Sequence, residues 1–316
     1  MILVTGSSGF VASALVPLIG NTGTVIGIDT RPSDFTDWVM DISGKDFPIE
    51  LAKFSDQDIS IVNLAAARFD FGAKAEDYYR LNVIAHSDFL ESLESIRINK
   101  FIHISSVASI DGSRIPYSRD LDCDDAYRST KFLQEKLIRD WCAKKNIELV
   151  VLYPSAIFSD ESRSDTNIGK LQSISRFIPF IPIIDVAKSL TYLPNFSRFI
   201  TDSLVNEIPA GNYLTIEKPT LTVSRMIQLI SGRPILLIWV PFLPIFLKMV
   251  ARCLYVLGFC GKIDLKLTPN RVIKLFSDTS YSNASLEDID IEEYAKRNCE
   301  QLPEILSKFN IEKING

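Results

Sequence analysis

The sequence predicts an α/β fold: a doubly wound parallel sheet followed by a smaller, mostly helical carboxyl-terminal domain. Short apolar runs alternate with amphipathic stretches through the first half, as parallel strands joined by crossover helices require. The 316 residues suffice for one large or two modest domains. The alternation ends after Pro154, so we expect a first domain at residues 1–160 and a second at 161–316, with some segments of the second returning to the sheet.

Individual elements follow from the spacing of apolar residues. Strands are short apolar runs, whereas helices repeat apolar residues every three or four positions. Residues 285–308 have the pattern of a further amphipathic helix. We expect strands at Ile2–Thr5, Thr24–Asp29, Ile59–Leu64, Phe101–Ser105 and Glu148–Leu152, and helices at Val11–Leu18, Ala75–Leu93 and Tyr127–Lys145.

Composition excludes several classes of partner. A net charge of −5 argues against nucleic acid, which requires clustered Lys and Arg. Five cysteines without metal-ligand spacing read as free thiols in a reducing compartment, and two histidines make no His-rich metal site. An apolar strand follows Met1 directly, without a basic leader, so we expect a cytoplasmic protein.

One segment departs from ordinary composition. Residues 234–247 (PILLIWVPFLPIFL) form an apolar run that continues past Lys248 and Arg252 to Phe259. The run contains three prolines and is too short for a spanning helix. We expect a buried or lid segment, and contact with a membrane surface through residues 234–259 is the alternative.

A glycine loop joins the first strand to the first helix. Its residues are Thr5-Gly6-Ser7-Ser8-Gly9-Phe10-Val11-Ala12. Gly6 can make the tight turn, and Gly9 lets the backbone approach a pyrophosphate at the helix N-terminus. Ala12, where a third glycine often stands, is small enough for close packing of helix and strand. The loop therefore predicts a Rossmann domain that binds a dinucleotide.

An acidic residue ends the second strand. Asp29 can accept hydrogen bonds from both ribose hydroxyls of adenosine, and its charge would repel a 2′-phosphate. This favours NAD over NADP, although Arg31 could pair with such a phosphate, so NADP stays open. Asp41, in Met40-Asp41-Ile42, could accept from the adenine amino group.

A catalytic pair is predicted on the third helix. Tyr127 and Lys131 are four residues apart and so share a helix face. An ammonium near a phenol favours the phenolate, which can exchange a proton with a hydroxyl while hydride moves to or from nicotinamide. Ser105 and Ser106 end a predicted strand, where ligands of such sheets bind.

These motifs together resemble the extended short-chain dehydrogenases/reductases of the NAD-dependent epimerase/dehydratase family, which modify nucleotide sugars. Besides the loop, the resemblance rests on Asp41-Ile42, Asn63-Leu64-Ala65-Ala66, Tyr78-x-x-x-Asn82-Val83, Ser105-Ser106, Tyr127-x-x-x-Lys131 and Tyr153-Pro154. They occur in the family's order and cover the first half of the chain.

The resemblance implies a role for each matching residue. Tyr127 is the acid/base, Lys131 stabilises its phenolate and binds the nicotinamide ribose, and Ser106 assists at the substrate oxygen. Asn82 supports the active-site helix, while Ala65 and Ala66 line the cofactor. The implied cofactor contacts are Gly6, Ser8, Gly9, Phe10, Val11, Asp29, Asp41, Ile42, Ala65, Ala66, Asn82, Tyr127, Lys131, Tyr153 and Pro154.

Three departures from the family pattern limit this transfer. Tyr153 stands before Pro154 where the family often has Arg. The usual Tyr-Gly appears as Asp111-Gly112, one position out of step, so Ser105 stays a rival to Ser106. Val107 and Ala108 occupy the Asp-Glu positions of the dehydratases and cannot donate a proton, which argues against a dehydratase.

The second half resembles the carboxyl-terminal region of sugar-nucleotide enzymes of bacterial surface polysaccharides, through residues 232–234 and 268–275. Arg271 is a candidate for binding a diphosphate, because guanidinium engages phosphate oxygens in pairs. Asn167 is a candidate substrate contact on position alone. By analogy with the family's dimers, we expect a homodimer whose two long helices pair.

The leading hypothesis is a nucleotide-sugar 4-epimerase, acting on a UDP-hexose or UDP-N-acetylhexosamine by transient oxidation at C4. One alternative is an NAD(P)H-dependent reductase of 4-keto-6-deoxysugar nucleotides, and a more distant one is a 3β-hydroxysteroid-type dehydrogenase. A non-catalytic NAD sensor is disfavoured, because Ser106, Tyr127 and Lys131 are all present.

Overall fold

The structure, a computed structural model, describes most of the amino-terminal half and shorter parts of the remainder. The described residues are 1–67, 73–159, 180–205, 207–231, 236–240, 242, 245–247, 249–250, 252–253, 276–281, 291–293, 303 and 306.

Strands and helices alternate as predicted in the first half. The strands are β1 (Ile2–Thr5), β2 (Val25–Asp29), β3 (Trp38–Val39), β4 (Ile59–Asn63), β5 (Ile98–Ile104), β6 (Glu148–Pro154), β7 (Ala156–Phe158), β8 (Phe180–Pro182), β9 (Ala187–Lys188), β10 (Leu190–Tyr192), β11 (Gly211–Thr215), β12 (Leu221–Thr222), β13 (Leu236–Ile238) and β14 (Ile291–Glu293). The helices are α1 (Phe10–Ile19), α2 (Phe47–Ala52), α3 (Ala75–Tyr79), α4 (Ala85–Ser92), α5 (Val107–Gly112), α6 (Cys123–Lys145), α7 (Leu193–Leu204) and α8 (Val223–Ser231), and a π-helical turn, Arg80–Ile84, joins α3 to α4.

Eight strands form one parallel sheet in the order β14-β11-β6-β5-β4-β1-β2-β3. The chain leaves β1 toward β2 on one side and later returns to β4 on the other. This reversal makes a switch point at the carboxyl ends of β1 and β4, where sheets of this kind bind ligands. The prediction of a doubly wound Rossmann sheet is confirmed.

Apolar side chains cover both faces of this sheet, since successive residues of a strand point to opposite sides. Ile2 and Val4 of β1 pack in one cluster with Leu15 of α1 and Phe199 of α7. Leu3 packs in the other cluster, which includes Phe47, Phe89 and Ile138 from the helices opposite. Burial on both faces explains why the strands are continuous apolar runs.

The chain divides into two compact units, and the first contains more than the amino-terminal half. It comprises Met1–Ile157, Thr191–Ile216 and Ser282–Lys296, so β11 and β14 join the sheet from beyond residue 160. Residues 291–293 are a strand, and the expected helix over 285–308 is wrong at that point. The assignment of substrate binding to the second region stays a prediction.

The second unit contains short paired strands and one described amphipathic helix. Strands β9 and β12 pair antiparallel, and β8 and β13 pair parallel. Helix α8 buries Val223, Met226, Ile227 and Ile230, the three-and-four spacing of one helix face. No helix in the described parts of the chain is both long and apolar enough to cross a membrane.

Candidate active site

The glycine loop brings the ends of β1 and β4 into close contact. Gly6 has φ +73°, a backbone conformation that favours glycine. A Cβ atom on Gly6 would lie 2.9 Å from the Ala65 nitrogen, so a larger residue would push the two strand ends apart. The amides of Gly6 and Ser7 donate to the Ile28 carbonyl at 2.8 and 3.1 Å.

The loop leaves polar groups available at the N-terminus of α1. The Ser8 hydroxyl is buried and has no hydrogen-bond partner among the described residues. Gly9 is the N-cap residue and provides no side-chain cap, and the N-terminus of a helix favours an anion. Phe10 and Val11 begin the helix half-buried, and Ala12 is fully buried. These features fit the pyrophosphate of a dinucleotide.

Asp29 is held rigidly at the end of β2. One carboxylate oxygen accepts from the Ser8 amide at 3.2 Å and the other from the Arg31 amide at 3.0 Å. The Arg31 guanidinium lies 3.9 Å from the Asp29 carboxylate, and its side chain is 75% exposed. A dinucleotide ribose at this point would meet both a carboxylate and an exposed guanidinium.

Asp41 and Ile42 occupy the turn after β3. The Asp41 carboxylate is exposed and accepts from the amide and hydroxyl of Ser43, at 2.9 and 2.8 Å. Ile42 packs its side chain in the sheet core, which leaves its backbone for any cofactor contact. A contact of either residue with adenine stays a prediction.

The two serines after β5 have different surroundings. The Ser105 hydroxyl is buried and donates to Glu135 Oε2 at 2.6 Å. Ser106 is half-buried at the N-cap of α5, where its hydroxyl accepts from the Ala108 amide at 3.2 Å. An acceptor bond leaves the Ser106 proton available, so the geometry favours Ser106 over Ser105 as a donor to a substrate oxygen.

Close packing of α5 on α6 fixes Ser106 near the catalytic helix. A Cβ on Gly112 would lie 2.0 Å from the Arg128 carbonyl oxygen, so only glycine permits this approach. Helix α6 begins at Cys123, four residues before the predicted start, because the Asp122 carboxylate caps the amides of Asp124 and Asp125. The longer first turn places Tyr127 inside the helix.

Tyr127 is half-buried, and its ring meets the edge of Tyr78 at a centroid distance of 6.3 Å. One helical turn later Lys131 is buried, with its Nζ donating to the Ile104 carbonyl at 3.0 Å. The amine therefore lies at the end of β5, the strand that leads to Ser106. The structure places Ser106, Tyr127 and Lys131 on adjoining elements, with Lys131 anchored to the sheet.

Two further side chains hold Lys131, and we call this set the lysine network. Lys131 Nζ donates to Gln134 Oε1 at 2.6 Å. Gln134 Nε2 donates to the Ala65 carbonyl at 3.0 Å and lies 2.7 Å from His86 Nε2. His86 Nδ1 lies 3.1 Å from the Leu81 carbonyl. Because that carbonyl can only accept, Nδ1 carries the proton, and Nε2 accepts from Gln134.

Burial makes the charged forms of this network unfavourable. Desolvation lowers the pKa of Lys131 to about 7, against the attraction of Glu135. Desolvation, together with the charge of Lys131, lowers the pKa of His86 to about 4. At neutral pH His86 is thus neutral, which its acceptor role toward Gln134 requires.

Glu135 starts a second set, the carboxylate network, on the same turn of α6. Its carboxylate accepts from Arg139 Nε at 2.9 Å, from Ser109 at 3.0 Å, and from the Tyr153 hydroxyl. Arg139 also donates to the Tyr153 hydroxyl at 2.8 Å and to Asn212. Burial and the Glu135 charge raise the pKa of Tyr153. The Tyr153 side chain is committed to these bonds, so only the backbone of Tyr153-Pro154 is available for the predicted cofactor contact.

Asn82 joins the catalytic helix to the segment after β4. Its Oδ1 accepts from the Ala67 amide at 2.7 Å, and its Nδ2 donates to the Thr130 hydroxyl at 3.1 Å. Thr130 in turn donates to the Ala126 carbonyl at 2.7 Å. Ala65 is half-buried and Ala66 exposed beside this link. Asn82 thereby fixes the turn of α6 that carries Tyr127.

Comparison with known families accounts for this arrangement. The model of the NAD dependent epimerase/dehydratase family matches residues 2–179, more than half of the chain. The chain belongs to the NAD dependent epimerase/dehydratase family. It is accordingly an NAD-dependent enzyme of the epimerase and oxidoreductase type, and the glycine loop and Asp29 fit that cofactor.

Several solved structures have a similar fold. UDP-glucuronic acid 4-epimerase from Bacillus cereus, in complex with NAD, is 21% identical with a TM-score of 0.59, over 76% of this chain and 85% of that one. UDP-N-acetylglucosamine 4-epimerase from Bacillus cereus is 18% identical with a TM-score of 0.60, over 75% and 87%. RMD from Pseudomonas aeruginosa, complexed with NADPH, is 16% identical with a TM-score of 0.56, over 76% and 86%. No curated protein matches the sequence.

The family motif does not include every residue that builds the site. Gln134, His86, Glu135 and Arg139 were missed from the sequence, although Gln134 and Glu135 follow Lys131 at helical spacing. The two substrate candidates, Asn167 and Arg271, lie outside the described residues.

Proposed function

We propose that this family member is an NAD-dependent nucleotide-sugar 4-epimerase, acting on a UDP-hexose or UDP-N-acetylhexosamine. The observation that carries the proposal is the position of Lys131. It is buried one helical turn from Tyr127 and bonded to the carbonyl at the end of β5. This is the arrangement that proton exchange with a sugar hydroxyl beside a dinucleotide requires.

Tyr127, Ser106 and Lys131 have separate roles in the proposed mechanism. Tyr127 removes the proton of the C4 hydroxyl and later returns it, while Ser106 donates a hydrogen bond to the same oxygen. Lys131 orients and stabilises the phenolate, and two of its donor positions are already fixed by Ile104 and Gln134. NAD, which the glycine loop and Asp29 would hold, would supply the hydride acceptor and donor, and C4 is inverted because the 4-keto sugar turns before hydride returns to its other face.

Two further points favour an epimerase. Asp29, with both oxygens fixed by backbone amides, suits NAD, and an internal redox cycle suits a retained cofactor. Two of the similar structures are 4-epimerases, of UDP-glucuronic acid and of UDP-N-acetylglucosamine. The cytoplasmic location, the homodimer and the substrate contacts of Asn167 and Arg271 remain proposals of the same kind.

A reductase of 4-keto-6-deoxysugar nucleotides is the second candidate, using the same residues in one direction. The exposed Arg31 guanidinium beside Asp29 favours it, because it could bind the 2′-phosphate of NADPH. The 3β-hydroxysteroid-type dehydrogenase has no such observation behind it.

Purified protein tests the choice directly. The epimerase should convert UDP-hexose or UDP-N-acetylhexosamine without added cofactor, and NAD should be released from it on denaturation. A strict requirement for added NADPH would establish the reductase instead. Conversion of a sterol, without turnover of sugar nucleotides, would contradict both candidates.

Tyr127→Phe tests the mechanism independently of the substrate's identity. We expect turnover to fall by about three orders of magnitude with retained NAD unchanged. Tyr117→Phe is the matched control, since Tyr117 stacks on Tyr79 at 4.4 Å and has no proposed role. Full activity of Tyr127→Phe with NAD still bound would refute the mechanism.

A further inference from the structure

An exposed apolar surface lies in the second unit. Trp239 is 73% exposed, Phe242 76% and Phe246 62%. Among the described residues, nine of the fourteen most exposed large apolar side chains belong to this surface, which we call the apolar patch. Its members are Phe180, Ile183, Leu236, Trp239, Val240, Phe242, Ile245, Phe246 and Met249.

Local structure holds these side chains together. Strands β8 and β13 pair so that Phe180 lies beside Leu236, and the Ile183 amide donates to the Ile238 carbonyl at 2.9 Å. The Phe246 amide donates to the Phe242 carbonyl at 3.0 Å. Ile245 and Met249 have helical backbone and are four residues apart, the spacing of neighbours on one helix face.

The segment that carries most of the patch is basic, although the chain is acidic. Residues 233–275 contain one acidic residue, Asp264, and a net charge of +6, against −5 for the whole protein. Arg252, close to the patch, is exposed. The basic residues of the segment are Arg233, Lys248, Arg252, Lys262, Lys266, Arg271 and Lys274.

Apolar and aromatic side chains beside basic ones match the chemistry of an anionic bilayer surface. Aromatic rings settle at the headgroup level, and each nearby Lys or Arg adds attraction to anionic lipid. The three prolines and the short length of the run prevent it from spanning the bilayer. A symmetric contact with a second copy would instead oppose two segments of charge +6, which repel each other.

We propose that the apolar patch inserts into the interface of an anionic membrane and holds the enzyme there peripherally. Phe242, Phe246 and Trp239 enter the headgroup region, and the positive charge that the sequence places in this segment attracts the anionic lipid. This inference goes beyond the proposed function and does not depend on it.

Vesicle flotation of the full chain tests the proposal. Wild type should float with vesicles of phosphatidylcholine mixed with phosphatidylglycerol and much less with phosphatidylcholine alone. Phe242→Ser combined with Phe246→Ser should lower the partition coefficient about tenfold or more. Ile49→Ser is the matched control, since Ile49 is 63% exposed on α2 and should leave flotation unchanged. Equal thermal unfolding of all variants excludes a folding defect.

Charge and exposure provide two further readouts. Lys248→Glu combined with Arg252→Glu, or salt at about 0.5 M, should reduce flotation with the anionic vesicles. Trp239 emission should shift to the blue on adding vesicles, compared with Trp239→Phe. Failure of wild type to float with anionic vesicles overturns the proposal. So does acrylamide protection of Trp239 without vesicles, or a dimer that dissociates on the Phe242→Ser, Phe246→Ser substitution while vesicles bind neither form.

Discussion

Two neighbouring residues of α6 lead to networks of opposite character. Gln134 connects Lys131 to His86 and Ala65 through neutral groups. Glu135 connects Arg139, Tyr153, Ser105 and Ser109 through a charged carboxylate. The first network holds the amine proposed to stabilise the Tyr127 phenolate, and the second joins the helix to β5 and β6.

The contrast shows how a buried amine can be positioned without fixing its charge. A carboxylate at position 134 would bind the ammonium directly and hold it protonated. The amide of Gln134 accepts the same hydrogen bond with no net charge, so desolvation prevails and the pKa of Lys131 falls to about 7. The adjacent carboxylate is engaged with Arg139 and stabilises the fold instead.

The largest expected effect comes from Lys131→Met, which removes the amine from the lysine network. Turnover of the sugar nucleotide that wild type converts should fall about 1000-fold, a difference of about 4 kcal/mol in the barrier. Steady-state kinetics measure this, with Lys136→Met as control, because Lys136 is exposed on the same helix. Activity within threefold of wild type would show that the network serves the fold alone.

Acid should break the lysine network through His86. The folded-state pKa of about 4 lies below the usual histidine value of 6.5, so between these pH values the unfolded chain binds a proton that the folded chain does not. The stability contributed is complete above pH 6.5 and is lost as the pH falls toward 4, at about 1.4 kcal/mol per pH unit.

Urea unfolding across this pH range checks the effect of His86. His86→Asn, which does not titrate there, should show a shallower loss of stability with acid than wild type. The pKa of His103 is lowered mainly by burial and further by the charges of Lys131 and His86, so His103 titrates in both proteins and part of their difference is transmitted through it. Parallel curves for the two proteins would contradict the role given to His86.

Removing the Glu135 charge from the carboxylate network should lower the free energy of unfolding. Glu135→Gln keeps the shape but removes the charge that Arg139 faces. Breaking a buried pair costs about 3–5 kcal/mol, and since Arg139 is one-third exposed we expect a loss of about 2 kcal/mol in the free energy of unfolding. Denaturant unfolding measures it, and Asp140→Asn, at an exposed position on the same helix, should change it little. An unaltered unfolding midpoint in Glu135→Gln would contradict the structural role that we give to Glu135.

The smallest effect is expected for Gln134→Met, which keeps the volume and removes the acceptor of Lys131. Without that bond the Ile104 carbonyl is the remaining acceptor described for the amine, and kcat should fall about tenfold. The substitution also removes the Gln134 bonds to the Ala65 carbonyl and His86. Gln134→Glu restores an acceptor and should recover part of kcat while moving the pH profile to higher pH, because the carboxylate raises the pKa of Lys131. If both variants lost kcat equally with unchanged pH profiles, Gln134 would have only a packing role.

The sequence was sufficient for features that depend on local spacing. The glycine loop, Asp29 at the end of β2 and the Tyr127, Lys131 pair all follow from short motifs, and the sheet follows from alternation. β11 escaped prediction because Gly211 and Asn212 give a five-residue strand little apolar signal. The expected helix over Ala75–Leu93 is interrupted by the π-turn, which apolar spacing does not reveal.

The networks depend on contacts between distant parts of the chain. His86 and Gln134 are 48 positions apart, and nothing local to either residue predicts their pairing. In the sequence, Tyr153 stands before Pro154, where the family often has an arginine. In the structure the guanidinium of Arg139, on α6, donates to the Tyr153 hydroxyl. The arginine missing from the strand therefore has a counterpart on the neighbouring helix.

The π-turn at Arg80–Ile84 determines how the side chains of α3 are rotated about the helix axis relative to those of α4. A wider turn takes up one extra residue, and each residue of a regular helix advances the azimuth by about 100°. Deleting one residue would rotate Tyr78, which meets Tyr127, away from the side on which His86 reaches Gln134. Because of the π-turn, one helical segment contacts Tyr127 through Tyr78 and reaches Lys131 through His86 and Gln134. A one-residue deletion in the turn should therefore prevent both contacts from forming together, although Tyr127 and Lys131 themselves are unchanged.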